Sequence, residues 1–417
     1  MADQVAHTER EAFFLRIVLD HDEVPEDGTL QGQKTTATVE ELVEYVIANC
    51  VREAKREAKE HAMPRRFRRY SIVLTAVALS VSPETRGGEG VSMPPVRSVL
   101  GDELTAEVRL SVERGLHFLG SRQSASGSFS SRYPVAVNAL VGLAFLAAGH
   151  TGQVGPYTAE FNLALNFLLE SQKPSGYFSD GQSRMYGHGF ATLFLAELYG
   201  MAGARNDRVR DALKRAVRLI EKSQTRDGGW DYEPLLGSLS RGNHEGDTSI
   251  TVCQTMALRA ARNLGLHVDA RIVRAARSFI LNSQSTRNGG FYYRLSPEAK
   301  AILGTGYPRS AAGVCVLLSL GDYDSPAVEK GFKYLQRNYR GSSRFPFYAD
   351  YYGTQAMFQA GGPMWREYFS YVRDKLVRAQ GANGSWRGGY EGVAEQSTAM
   401  ALVALLIPYR YLPITER

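Results

Sequence analysis

The feature that most constrains this chain is a repeat. A glutamine closes an apolar, helix-like stretch, a glycine follows four or five residues later, and an aromatic residue stands two positions beyond the glycine. Five copies are regular: Gln123/Gly127/Phe129, Gln172/Gly176/Phe178, Gln224/Gly228/Trp230, Gln284/Gly289/Phe291 and Gln380/Gly384/Trp386. A degenerate copy reads Gln336/Gly341/Phe345, and the six glutamines are spaced 49, 52, 60, 52 and 44 residues apart. A period of this length means stacked supersecondary units that bury a continuous core between them.

Each copy follows a periodic apolar stretch, such as 108–119 or 208–223, and precedes a more continuously apolar one: 133–148, 186–201, 247–264, 307–320, 350–360 and 394–407. A helix with one wet face belongs outside, and a helix apolar nearly all round belongs inside. Six outer and inner pairs predict an all-α fold, an α/α toroid of about six helix hairpins, with parallel inner helices around a central funnel. Glycine then serves the tight turn between outer and inner helix. That accounts for much of a glycine count of 41, against a usual ~7% of residues.

Gln224-Thr-Arg-Asp-Gly228-Gly-Trp230 and Gln380-Gly-Ala-Asn-Gly384-Ser-Trp386 resemble the Q-x-x-x-G-x-W repeat of squalene–hopene and oxidosqualene cyclases. The glycine–aromatic turns are also similar to those of protein prenyltransferase β subunits. The resemblance covers about residues 102–413 and implies the toroid of the terpene cyclase and prenyltransferase superfamily, with the squalene oxidase type of repeat. It implies a protein that acts on or binds an isoprenoid or other apolar substrate in a central cavity. The alternative is a non-catalytic exported toroid that binds a peptide, lipid or protein partner.

The family's chemistry matches incompletely. Its cyclases carry a protonated acid in D-x-D-D-T-A at the start of an inner helix, and the nearest match is His244-Glu245-Gly246-Asp247-Thr248-Ser249. The last Asp is kept, but glycine stands at the central donor position and histidine at the first acid. Asp247 and Glu245 form the candidate acidic pair, in which mutual repulsion raises one pKa, with His244 beside them. The plainer reading is that Asp247 caps the helix. The prenyltransferase zinc site is not matched, because Ser249 stands where its cysteine would, so no metal or cofactor is expected. Cys253 and Cys315 read as small buried residues. Gly392-Val393-Ala394-Glu395-Gln396 resembles the thioester motif of complement-like toroids without its cysteine, and a glycosidase-type pair would have to come from Glu245 with Glu391 or Glu395.

The starts of the inner helices supply the substrate-binding candidates: Tyr133, Tyr186, His188, Tyr307, Arg309, Tyr351, Tyr352 and Gln355. Parallel inner helices would open all their N-termini at one end, where their dipoles favour an anion and the tyrosine rings receive an apolar or cationic guest. The rings either line the funnel or fill it.

Residues 63–82, Met-Pro-Arg-Arg-Phe-Arg-Arg followed by an apolar stretch and small residues, have the layout of a secretory signal peptide. The expectation is a true start at Met63 and a periplasmic or extracellular protein, with 1–62 a leader of uncertain status and 83–101 a linker. With the leader translated, the protein is cytoplasmic or membrane-associated. No stable membrane span after processing is expected, since no apolar run approaches the ~20 residues required. The formal charge of +6 concentrates in no single basic stripe, which argues against a nucleic-acid partner. The partner expected is an apolar small molecule or a peptide, and no motif sets an oligomeric state.

Overall fold

The computed structural model describes residues 103–237, 244–388 and 393–415. The leader, the signal-like segment, the linker and Glu391 lie outside the described residues. Among those described, the secondary structure is helical, with isolated bridges such as Gln172 to Phe178 but no strands.

Six inner helices form a closed ring: α2 (Pro134–Ala147), α4 (Arg184–Leu198), α6 (Thr248–Asn263), α9 (Tyr307–Ser319), α11 (Pro346–Ala360) and α13 (Ala394–Leu406). Each packs on the next in that order, and α13 packs back on α2. The outer layer is α1 (Ala106–Ser121), α3 (Thr158–Ser171), α5 (Asn206–Lys222), α7 (Ala270–Asn282), α10 (Pro326–Asn338) and α12 (Gly362–Ala379), and a short α8 (Pro297–Leu303) precedes α9. The expected all-α toroid of six hairpins is the observed architecture.

The patterning explains the two layers. In α5 the buried residues Val209, Ala212, Leu213, Ala216, Val217 and Ile220 recur at helical spacing on one face, between solvated Arg and Lys, so one side must find a core. In α2 thirteen of the fourteen residues are buried, beginning at Val135, because this helix is covered by ring neighbours and by the outer layer.

The turn between outer and inner helix is a fastener. The Gln224 amide donates to its own turn at Gly228 O (2.9 Å) and to Ile272 O of the next outer helix (2.9 Å). Gln380 repeats this with Gly384 O and Ser111 O (both 2.8 Å), which joins the last repeat to the first. The next outer helix lies so close that a Cβ on Gly384 would sit 2.3 Å from Arg114 O, and the residue has φ +85°; only glycine fits both demands. The aromatic backbone N–H is then taken by a side chain of the following inner helix. Phe129 uses Asn138 (3.0 Å), Phe178 uses His188 Nδ1 (3.2 Å), Trp230 uses Thr251 (3.0 Å), Phe291 uses Ser310 (2.9 Å) and Trp386 uses Thr398 (3.0 Å).

Two inner helices start earlier than the sequence pattern suggested. Pro346 occupies the first position of α11, where its fixed φ and missing N–H suit a helix start, so the helix begins before Asp350. α4 begins at Arg184, ahead of Tyr186.

Candidate ligand site at the mouth of the inner ring

The early start of α11 moves three of the expected site residues. Tyr351, Tyr352 and Gln355 lie inside the helix, buried, and not at the mouth. The Tyr351 ring meets Phe190 of α4 edge-on at 6.3 Å. Helices α4 and α11 are separated by two others on either side of the ring, so this contact crosses the axis. Tyr352 meets Tyr351 edge-on and Tyr348 at a tilt, both at 4.7 Å, and its hydroxyl lies 3.5 Å from Cys253 Sγ. At this level the aromatic rings fill the centre, because apolar side chains at the narrowest part of a six-helix ring reach one another. Burial pushes both cysteines up to about 12, which keeps them as neutral thiols.

His188 also leaves the list of ligand candidates. Its Nδ1 accepts the Phe178 N–H, its Nε2 lies 3.3 Å from Ala216 O, and the side chain is fully buried. It occupies the fastener position held elsewhere by Asn, Thr or Ser, and burial lowers its pKa to about 4, so the neutral ring is the working form. Tyr307 turns its hydroxyl to Tyr368 on α12 at 3.2 Å, away from the axis. Tyr133 precedes α2 in a left-handed conformation (φ 52°), with its N–H on Gln182 Oε1 and Arg132 over its ring.

The inner-helix N-termini are not uniformly free to attract an anion. The segments after three of the aromatics cap a neighbouring inner helix: Tyr232 O accepts Met185 N–H, Tyr293 O accepts Thr248 N–H, and Asp180 Oδ2 accepts Val135 N–H at 2.7 Å. The expected dipole site is therefore used up internally at α2, α4 and α6.

What gathers around Asp247 is more specific. Asp247 is fully buried, and its Oδ1 caps α6 by accepting Ser249 N–H (2.7 Å) and Ile250 N–H (3.2 Å). Its Oδ2 is buried without a hydrogen bond of ordinary geometry. Burial raises the pKa, while the Tyr293 hydroxyl, the two backbone N–H groups and Arg294 pull the other way. Above it, the Tyr232 and Tyr293 hydroxyls share a hydrogen bond of 2.6 Å, and the Tyr186 ring meets Tyr232 at 6.0 Å. Arg294 and Arg309 each lie 5.7 Å from the centre of the Tyr293 ring. Arg294 is paired with Asp231 at 2.9 Å. Arg309 donates to Gly304 O at 3.0 Å and makes no ion pair among the described residues; its Nε is buried and unbonded, and burial lowers its pKa against the pull of Asp247.

The acidic pair is not assembled as such. Glu245 binds the Ser296 N–H (2.5 Å) and hydroxyl (3.1 Å) ahead of α8, so the two carboxylates have separate partners. His244 sits 3.5 Å from Asp231 Oδ2. Tyr232, Tyr293, Arg294 and Asp231 were not among the sequence candidates. Their signal was register: Tyr232 and Tyr293 both stand two residues after the repeat aromatic. Glu395 lines a separate surface cleft of about 670 Å³ with Arg122, its partner at 2.8 Å.

No family model matches the chain. Over 149 residues it is 30% identical to lanosterol synthase from Mus musculus, a match that covers 34% of this chain and 20% of that protein. The chain thus spans about a fifth of the length of that curated relative. A variant of the type II terpene cyclase MstE from Scytonema, in complex with its substrate geranylgeranyl dihydroxybenzoate, superposes with a TM-score of 0.50 at 14% identity, over 76% of this chain and 100% of that one. The fold is terpene cyclase-like. A possible GH105 family member from Salmonella enterica also aligns, with a TM-score of 0.49 and 13% identity over 78% of this chain and 100% of that one. Within this terpene cyclase-like toroid no described helix is long and apolar enough to cross a membrane.

Proposed function

We propose that this terpene cyclase-like toroid binds an isoprenoid or comparable apolar ligand carrying one anionic group, and that it does so at the mouth of the inner ring. The observation that carries the reading is Arg309, a half-buried guanidinium with no carboxylate partner among the described residues, beside the Tyr293 ring and the tyrosine wall. The Tyr186, Tyr232 and Tyr293 rings would take the apolar body, and Arg309 would take the anion through charge-assisted hydrogen bonds. The Phe190–Tyr351 contact supports shallow binding over enclosure along the axis.

A second reading, acid catalysis on an alkene, is favoured by Asp247 Oδ2, a buried carboxyl oxygen that a proton would occupy. Two guanidiniums on the Tyr293 ring weigh against it, since they compete with a carbocation for the same π face. Export of the protein, with Met63 as its start, remains part of this proposal and suits a binding role.

The test is equilibrium binding of farnesyl diphosphate, with farnesol as the uncharged control, followed by mass spectrometry of the recovered lipid. The expected result is diphosphate binding that Arg309→Gln weakens by about tenfold or more, with the lipid returned unchanged. A cyclised product lost in Asp247→Asn would select the acid reading, and binding indifferent to Arg309→Gln and Tyr293→Ala would remove the mouth site.

A further inference from the structure

The opposite end of the ring is crossed by the segment that follows α13. A short 3-10 turn, Ile407–Tyr409, stays beside α11 and α13, and Arg410 then takes a left-handed conformation (φ 58°). The next turn, Pro413–Thr415, packs against α6 and α11. Because α13 and α6 lie on opposite sides of the ring, the segment runs over the axis at the C-terminal ends of the inner helices. Leu412, Ile414 and Thr415 are buried. The far anchor is on a fourth helix: Glu197, near the end of α4, accepts the Ile414 N–H through Oε2 at 3.1 Å.

We propose that residues 411–415 form a reversible strap across the far end of the inner ring, seated on Glu197 and released as that carboxyl ionises. The seat is apolar, and Ile414 of the strap donates its backbone N–H to a carboxyl on α4 that is itself almost wholly buried. Docking takes Glu197 out of water, and undocking returns water to it. An ionised carboxylate therefore favours the released strap, and a protonated one tolerates the seat.

The electrostatic surroundings reinforce this asymmetry. Burial pushes Glu197 up to about 7, with the Ile414 N–H as the opposing influence and no contribution from any charge on α2, α5 or α6. α2 carries no titratable residue, and Asp207, Arg208 and Arg210 of α5 are exposed. On α6 the titratable groups are Cys253, Arg259 and Arg262, and from α11 Tyr351 feels the Glu197 charge and adjoins Cys253 and Cys315. The tyrosine and both thiols are raised by burial and stay neutral. Among the described residues no cation contributes to the Glu197 pKa. The docked pKa is raised above its value in water, so seating is fully present below the released pKa and is lost as pH rises through about 7.

Hydrogen exchange of the amides at 411–415, measured on the full chain from about pH 4.5 to about pH 8.5 and corrected for intrinsic exchange, tests this. The expected result is a protection factor that falls by up to about tenfold per pH unit between the released pKa, ~4.3, and about pH 7, and levels off above it, while amides of α2 keep theirs. Glu197→Gln retains an acceptor for Ile414 N–H and should flatten that slope. Leu412→Asp, which leaves Glu197 untouched, should release the strap at every pH and expose residues 411–415 to proteolysis. Protection that is independent of pH in the native chain, or an unchanged slope in Glu197→Gln, overturns the proposal. If Glu197→Gln does not fold, the native pH profile and Leu412→Asp decide it.

Discussion

The five regular turns and the mouth above Asp247 are made from the same stretch of each repeat, yet they treat polar atoms differently. In the turns the glutamine amide, the aromatic N–H and the indole N–H all find acceptors; Trp230 and Trp386 donate to Ile220 O and Leu376 O at 2.7 and 2.8 Å. In the mouth, Asp247 Oδ2, Arg309 Nε and His244 Nε2 are buried without ordinary hydrogen bonds among the described residues. Buried polar atoms are normally satisfied, so such atoms in one place mark a region shaped by something other than stability. The same repeat yields a fastener where it is regular and a candidate site where residues beyond the aromatic have diverged.

The sharpest way to break this contrast is at a turn. Gly384→Val adds a side chain against Arg114 O at a left-handed position, and we expect a cost above about 3 kcal/mol, a fall of roughly 10 °C in Tm by calorimetry or failure to fold. Gly181 has a similar φ of +77° but nothing within 4 Å of its added Cβ. Gly181→Val should therefore cost only the backbone strain, about 1–2 kcal/mol. Equal effects at the two glycines would deny the close approach of the outer helix.

The next effect is pH-dependent. His188 has its pKa lowered to about 4 by burial in the folded state, whereas the unfolded chain protonates near ~6.5. Between those values the unfolded state binds more protons, so stability falls as pH drops through 6.5, by about 3 kcal/mol once pH reaches 4. Denaturant titrations at pH 7 and pH 4 should show this loss, and His188→Asn, which installs the residue used at Asn138, should diminish it. A smaller loss, about 1–3 kcal/mol, is expected for Thr251→Val, which leaves the buried Trp230 N–H without its acceptor. Smallest of all, Arg309→Gln should change stability by less than about 0.5 kcal/mol while weakening anionic ligand. A large loss of stability there would make Arg309 part of the framework.

The toroid was legible because the repeat imposes itself at every level: glutamine, glycine and aromatic recur in register, and each has one geometric reason to be there. His188 shows how a residue can share that register and still mislead, since only the fastener geometry equates it with Asn138 and Thr251. Tyr351, Tyr352 and Gln355 were misplaced by one local cue, Pro346, which starts α11 early and carries them from the mouth to the axis. Asp247 was found from the acidic motif, but its neighbours Tyr232 and Tyr293 were hidden. They lie in the loops after the aromatics, and each is brought to Asp247 by the cap its segment makes on an adjacent inner helix. The pairing of Glu245 with Ser296 depends on α8, which the six-hairpin pattern did not contain.

The central claim is that ligand is held at the mouth and not within the ring. Photo-crosslinking with a benzophenone-bearing prenyl diphosphate, followed by peptide mapping of the full chain, tests it directly. Label on the segments containing Tyr232 and Tyr293, competed by farnesyl diphosphate and reduced in Arg309→Gln, is the result expected. Label on Phe190, Tyr351 or Gln355 would place the ligand on the axis and contradict the account.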